Sequence, residues 1–177
     1  MRKIVYYVAS TLDGFIAAPD GSADKFIHED SIVEYYQQDL ANFDTTIMGR
    51  NTYEFGYRFG LKPGQRAYPH MRHYIFSNSL EFDDAENEVQ VFDLDVKQIK
   101  KIKEEKGSDI YLCGGGIFAG WLLDFELIDT LKIKLNPLLL GEGIRLFGPS
   151  LKSVYLNLKE SLDFENGFKI LTYEINY

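Results

Sequence analysis

The chain has 177 residues, of which 45% are apolar, and a formal net charge of −8. That is enough chain for one self-supporting core and too apolar a chain to stay disordered. The acidic balance, with no basic face, sets aside nucleic acid and anionic membrane as partners. The single cysteine, Cys113, sets aside an internal disulfide and any cysteine-based zinc cluster.

Residues 3–9 are rich in β-branched and aromatic side chains and read as a buried first strand. The apolar run breaks at Ser10 and Asp13, too soon for a signal-peptide core or a membrane span, so the reading is cytoplasmic. Ser10-Thr-Leu-Asp-Gly and Pro19-Asp-Gly are loop and turn signals. Ser31 stands three residues before Glu34, capping-box spacing for a helix running to about Asn42. Residues 45–48 form a short strand entering Gly49-Arg-Asn-Thr, and residues 56–70 read as a loop. Residues 73–76 and 89–92 are strands, and residues 96–106 a helix closed by Gly107. Ile99 and Ile102 mark its inner face, and its lysines read as a solvated one.

Residues 110–113 are a strand that meets a helix, 117–123, through three glycines. Thereafter residues 128–140, 154–163 and 168–176 read as strands, the last two joined by a hairpin at Glu165-Asn-Gly. Strand–helix alternation followed by an antiparallel finish predicts an α/β domain over 1–177. Its expected form is a mixed, mostly parallel sheet with helices on both faces and a C-terminal antiparallel hairpin. The 12 Tyr and 13 Phe, against one Trp, suit strands and either a packed core or a pocket for a flat ligand.

The strongest chemical signal is Asp109-Ile-Tyr-Leu-Cys-Gly-Gly-Gly-Ile-Phe-Ala-Gly. A buried strand reaches a helix N-terminus through residues without side chains, so backbone N–H groups can approach a phosphate there. Gly114, Gly116 and Ala119 also fit the Rossmann spacing. Too little chain follows for the remaining βαβ units, however, and the next strand, Leu131-Lys-Ile-Lys-Leu-Asn, lacks the ribose-binding acid. Ile47-Met-Gly-Arg-Asn-Thr-Tyr-Glu is a second strand end, with Arg50 suited to a bidentate phosphate contact. Ile75-Phe-Ser-Asn-Ser offers hydroxyl and amide groups at a third. Two phosphate-suited strand ends in one small domain fit a dinucleotide better than a mononucleotide. His28, His70 and His73 lack metal spacing and read as loop or surface residues; Trp121 reads as packing, and Cys113 as a small buried hydrophobe.

These motifs, in this order and with Asn136-Pro-Leu-Leu-Leu-Gly-Glu-Gly-Ile-Arg-Leu-Phe after them, resemble the dihydrofolate-reductase-like superfamily. The resemblance is to its RibD C-terminal branch, the reductase domain of bacterial riboflavin biosynthesis, and covers nearly the whole chain. It implies an NADPH site. Ala9 and Ile16 would flank the nicotinamide, and Gly49, Arg50, Asn51 and Thr52 would approach the pyrophosphate and adenosine 2′-phosphate. Ser77 and Asn78 would meet the 2′-phosphate end, while Gly114, Gly115, Gly116, Ile117 and Phe118 would cradle the pyrophosphate. The resemblance also implies a cis peptide at Gly114–Gly115 and a homodimer, to which residues 133–140 could contribute.

The substrate half departs from the pattern: Phe15 stands where that branch has a lysine, and Cys113 where it has a glutamate. No residue is assigned a catalytic role and none a metal; Asp13 and Glu34 are the substrate-side candidates, with Asp30 nearby. The expected activity is an NADPH-dependent reductase of a small pterin-like or ribosylaminopyrimidine-like heterocycle. The alternative is an NADP(H)-binding module that has lost the chemistry.

Overall fold

The computed structural model describes residues 1–177. Its centre is β1 (Ile4–Thr11), whose unbroken apolar run is explained by burial on both sides: Ile4 and Tyr6 enter one core, Val5 and Tyr7 the other. The chain continues through β2 (Phe15–Ala17), α1 (Asp30–Leu40), β3 (Thr45–Gly49), α2 (Arg50–Phe55) and a 3₁₀ turn (Gly56–Phe59). Then come β4 (Arg72–Phe76), β5 (Val89–Phe92), α3 (Val96–Glu104), β6 (Ile110–Gly114) and α4 (Gly116–Asp124). The last third holds β7 (Thr130–Asn136), β8 (Ile144–Arg145), β9 (Tyr155–Asp163) and β10 (Lys169–Asn176).

Eight strands form one sheet in the order β5-β4-β3-β6-β1-β7-β10-β9. The six from β5 to β7 are parallel, and β10 and β9 close the far side antiparallel. This is the mixed sheet and hairpin expected from the sequence; at the hairpin, Asn166 and Gly167 take positive φ of 56° and 83°. α3 and α4 cover one face through Ile99, Ile102, Phe118 and Leu122. α1 covers the other through Ile32 and Leu40, packed on Tyr7, Tyr111 and Ile170. Each such fully buried apolar side chain contributes roughly 1.5–3 kcal/mol.

Asp129, just before β7, ties both ends of the chain to the sheet. It donates its N–H to Ile4 O (3.0 Å), accepts from Ile4 N–H at Oδ2 (2.7 Å), and accepts from Ile175 N–H at its carbonyl (3.1 Å).

Several local expectations are corrected. Glu29, not Ser31, caps α1, its carboxylate accepting from the N–H groups of Ser31 (3.1 Å) and Ile32 (2.9 Å). The longer side chain spans what Ser31 would have closed, and the Ser31 hydroxyl donates to Glu29 instead (2.6 Å). Gly107 is not the cap of α3, which ends at an extended Glu105. Gly107 is needed because a Cβ there would lie 2.3 Å from Asp44 Oδ2. Lys103 is buried rather than solvated, and its ammonium donates to Asp129 (2.7 Å). His73 is fully buried on β4, accepting at Nε2 from the N–H groups of Ala67 (3.1 Å) and Tyr68 (3.2 Å). The strand expected over 128–140 is β7 alone. Beyond it the chain loops out and returns as β8, pairing with β2 in a two-stranded ribbon.

Candidate active site

The C-terminal ends of β3, β4, β6 and β1 lie side by side, and each releases a motif singled out in the sequence. In open α/β sheets this edge is where ligands settle, at the point where successive crossovers leave to opposite faces. Here β1 leads to α1 on one face and β6 to α4 on the other.

The glycines are there because the chain passes too close for side chains. A Cβ on Gly115 would stand 2.9 Å from the Thr52 hydroxyl, one on Gly116 2.2 Å from Arg145 O, and one on Gly49 3.1 Å from Phe118 Cβ. Gly114 has φ of +125°, and the Gly114–Gly115 peptide is cis. The two loops expected to share a phosphate therefore touch, Thr52 against Gly115. No side chain caps α4, so its first-turn N–H groups are open to a ligand or solvent. Ile117 is exposed at this rim. The Phe118 ring is not: it is buried, stacked between Phe76 (5.0 Å) and Trp121 (6.0 Å), leaving only its backbone to face the crevice. Trp121 is packing, as expected.

Arg50 is exposed, with Nε donating to Glu54 (2.8 Å) and Nη1 to Ser79 (3.0 Å). Asn51 is exposed on the same turn. Beyond it, a cavity of about 650 Å³ is bounded by Ser77, Asn78, Phe82, Val91 and Phe92. The Ser77 hydroxyl oxygen accepts from the N–H groups of Ser79 (3.2 Å) and Leu80 (3.1 Å), and Asn78 Oδ1 from Leu94 N–H (3.0 Å). The loop is thus preformed, with the Ser77 O–H and Asn78 amide N–H groups still available to donate. At the other end Ala9 and Ile16 are half-buried beside the β2–β8 ribbon.

The two substrate-side carboxylates do not join this group. Glu34 is exposed on α1 and accepts from Gln38 Nε2 (3.2 Å). Asp13 is an exposed loop clamp: it accepts from the Thr11 hydroxyl (2.5 Å) and the N–H groups of Leu140 (3.0 Å) and Gly141 (2.8 Å). Those bonds hold its carboxyl down at about 2. Asp30 is fully exposed near His28.

Other residues face the region between α1 and the sheet. Tyr36 and Tyr111 share a hydrogen bond between hydroxyls (2.5 Å), and the Tyr68 hydroxyl meets Cys113 Sγ (3.5 Å). Burial pushes the Tyr68 and Tyr111 hydroxyls and the Cys113 thiol up, so all stay protonated at neutral pH. Lys132 and Lys134, alternate residues of β7, point to this face in register with Tyr7 and Ala9. In the sequence the alternation Leu131-Lys-Ile-Lys-Leu puts both lysines on one face of the strand, without saying what that face meets.

An eight-stranded mixed sheet with glycine-lined strand ends defines the class, a dihydrofolate-reductase-like fold. The RibD C-terminal domain model matches residues 2–170, and the chain belongs to that family. It is 32% identical over 170 residues to the uncharacterized protein YwjB of Bacillus subtilis strain 168, covering 92% of each chain. Among solved structures, a Shewanella sp. PV-4 protein with a riboflavin-biosynthesis assignment superposes with a TM-score of 0.82 at 25% identity, covering 100% of both chains. Dihydrofolate reductase from Enterococcus faecalis, complexed with NADP(H), superposes with a TM-score of 0.71 at 18% identity, over 99% of this chain and 97% of that one. No helix of this protein is long and apolar enough to cross a membrane.

Proposed function

We propose that the protein is an NADPH-dependent reductase acting on a small heterocyclic acceptor. The observation that carries this reading is the contact of two phosphate-suited loops, where Thr52 meets Gly115 at a distance only glycine permits. Residues present fit the cofactor. The backbone of Gly114, Gly115, Gly116 and Ile117 would hold the pyrophosphate at the uncapped start of α4, a favourable end of the helix for an anion. Arg50, Ser77 and Asn78 would hold the 2′-phosphate end, with the adenine in the neighbouring cavity. Ala9 and Ile16 would flank the nicotinamide. The local donors offset a net charge of −8 that otherwise repels a polyanion.

When bound, NADPH supplies the hydride. The chain's own task is to orient the acceptor over Ala9, hold water out with the Tyr7, Tyr36 and Tyr111 cluster, and polarise the acceptor. Support also comes from the family and from the NADP(H) complex of the enterococcal reductase.

Titrating the purified protein with NADPH, followed by dihydronicotinamide fluorescence, should give saturable binding; none at millimolar cofactor would overturn the reading. The exchange of the branch's lysine and glutamate for Phe15 and Cys113 favours a second reading, a binding module without turnover. Oxidation of NADPH with dihydrofolate, pterins, flavins or ribosylaminopyrimidine phosphates would eliminate it.

A further inference from the structure

The segment from Arg145 to Gly148 is pressed against the start of α4. A Cβ on Gly116 would stand 2.2 Å from Arg145 O, and one on Gly148 2.9 Å from Gly116 O. The segment is fixed there by a tight turn of its own, Gly148 N–H donating to Arg145 O (3.0 Å). Two further bonds tie it down: Leu146 N–H donates to Gly14 O (3.0 Å), and Leu146 O accepts from the Tyr6 hydroxyl (3.0 Å). The Phe147 ring packs edge-on against Tyr6, with centroids 5.6 Å apart. The main chain of Arg145 is thereby set beside the first turn of α4, whose N–H groups no side chain caps.

The Arg145 side chain, by contrast, is exposed and has nothing to hold. Of the six arginines, Arg2, Arg50, Arg66 and Arg72 are paired with carboxylates, and Arg58 lies over the Phe55 ring. Arg145 alone forms no ion pair, hydrogen bond or ring contact, in a chain where 27 acids outnumber 19 bases. Glu142, three residues earlier, is exposed and does not pair with it. The carboxylate of Asp13, across the ribbon, already accepts from the N–H groups of Leu140 and Gly141.

The glycine loops and Thr52 offer the crevice main-chain N–H groups and a hydroxyl, but no full positive charge. Arg50 is held away from them, towards Ser79 and the cavity at Ser77. A pyrophosphate, with a negative charge on each phosphate, lacks a cation of its own unless Arg145 supplies it. A guanidinium suits this task, because its fork of donors matches phosphate oxygens in pairs.

We propose that Arg145 is the cation that holds the cofactor's pyrophosphate, closing over the start of α4 from the β2–β8 ribbon. Arg145 stands opposite Phe15 in that ribbon, so the same contact ties the segment bearing Ile16 to the bound cofactor. The division of labour is then by phosphate: Arg145 takes the pyrophosphate and Arg50 the 2′-phosphate. This rests on the reductase reading for the identity of the ligand, and the test separates the two.

NADPH and adenosine 2′-phosphate, which has the 2′-phosphate but no pyrophosphate, are the probes. Their affinities are measured by titration calorimetry for the wild type, Arg145→Ala and Arg145→Lys. Arg145→Ala should weaken NADPH about tenfold or more and leave adenosine 2′-phosphate unchanged, with Arg145→Lys in between for NADPH. Melting temperatures should match the wild type in both variants, since the side chain is exposed and unpartnered. Undiminished NADPH affinity in Arg145→Ala, or an equal loss for both probes, would overturn the proposal and leave the reductase reading standing. A wild type that binds no NADPH would overturn both.

Discussion

In the proposed cofactor site, Arg50 would concentrate the choice between phosphorylated and unphosphorylated cofactor in one side chain. Its Nε is taken by Glu54 and its Nη1 by Ser79, so the guanidinium is held beside the cavity at Ser77 and Asn78 rather than free in solvent. Arg50→Ala should weaken NADPH binding roughly tenfold to a hundredfold, the worth of one or two charge-assisted bonds, and leave NADH nearly unchanged. Parallel fluorescence titrations with both cofactors read this directly. His73 makes a different prediction. Burial lowers its pKa from 6.5 to about 4, so the unfolded chain takes up a proton that the folded one refuses. The stability held above pH 6.5 is lost as pH falls towards 4, by roughly 3 kcal/mol in all. Urea midpoints from pH 7 to pH 4 should drop more steeply for the wild type than for His73→Gln; equal slopes would refute the assignment. His73 was not legible as a core residue, because nothing local marks a histidine whose acceptor is needed by N–H groups five and six residues back. Lys134 was legible only in retrospect, once β7 was known to be an interior strand.

The elements of the parallel half were readable because each coincides with one apolar run and one turn signal: β5 and β3 fall within a residue of expectation. β2 and β8 were not, since a three-residue and a two-residue strand separated by more than a hundred residues pair only through tertiary contact. That ribbon is held from outside by Asp13, whose carboxylate bridges to the N–H groups of Leu140 and Gly141, in keeping with the turn reading of its Asp-Gly setting. α4 shows how closely elements can be set. A Cβ at Gly116 would meet Arg145 O, and one at Gly120 would meet Phe147 O, each at 2.2 Å. Alanine improves intrinsic helix propensity by about 1 kcal/mol, but overpacking against backbone costs about 1–3 kcal/mol and cannot be relieved by a rotamer change. Both Gly116→Ala and Gly120→Ala should therefore lower the melting temperature, by a few degrees. Only Gly116→Ala should also weaken NADPH binding, because Gly120 lies a turn away from the crevice. A rise in melting temperature for Gly120→Ala would show that the 145–148 segment yields.

At the scale of the whole molecule, the edge strand β9 is the least covered part of the sheet. Tyr155 is 86% exposed, Leu156 44% and Leu158 51%, while β7, where an apolar contact surface was expected, lies between β1 and β10. An open apolar edge invites pairing, and we propose that two copies of the chain associate through β9. Sedimentation should give a dimer for the wild type at micromolar concentration and a monomer for Leu158→Lys; a monomeric wild type would remove the proposal. The opposite situation holds at the chain ends. Because Asp129 bonds both Ile4 and Ile175, the first strand begins and the last strand ends within a residue or two of the same point. The polypeptide is thus nearly a closed loop, and its present starting point is only one of several from which the same fold could be spelled. A circular permutant with Tyr177 joined to Met1 by a short Gly-Ser linker, opened at the exposed Asn166 turn, should fold and bind cofactor as the parent does.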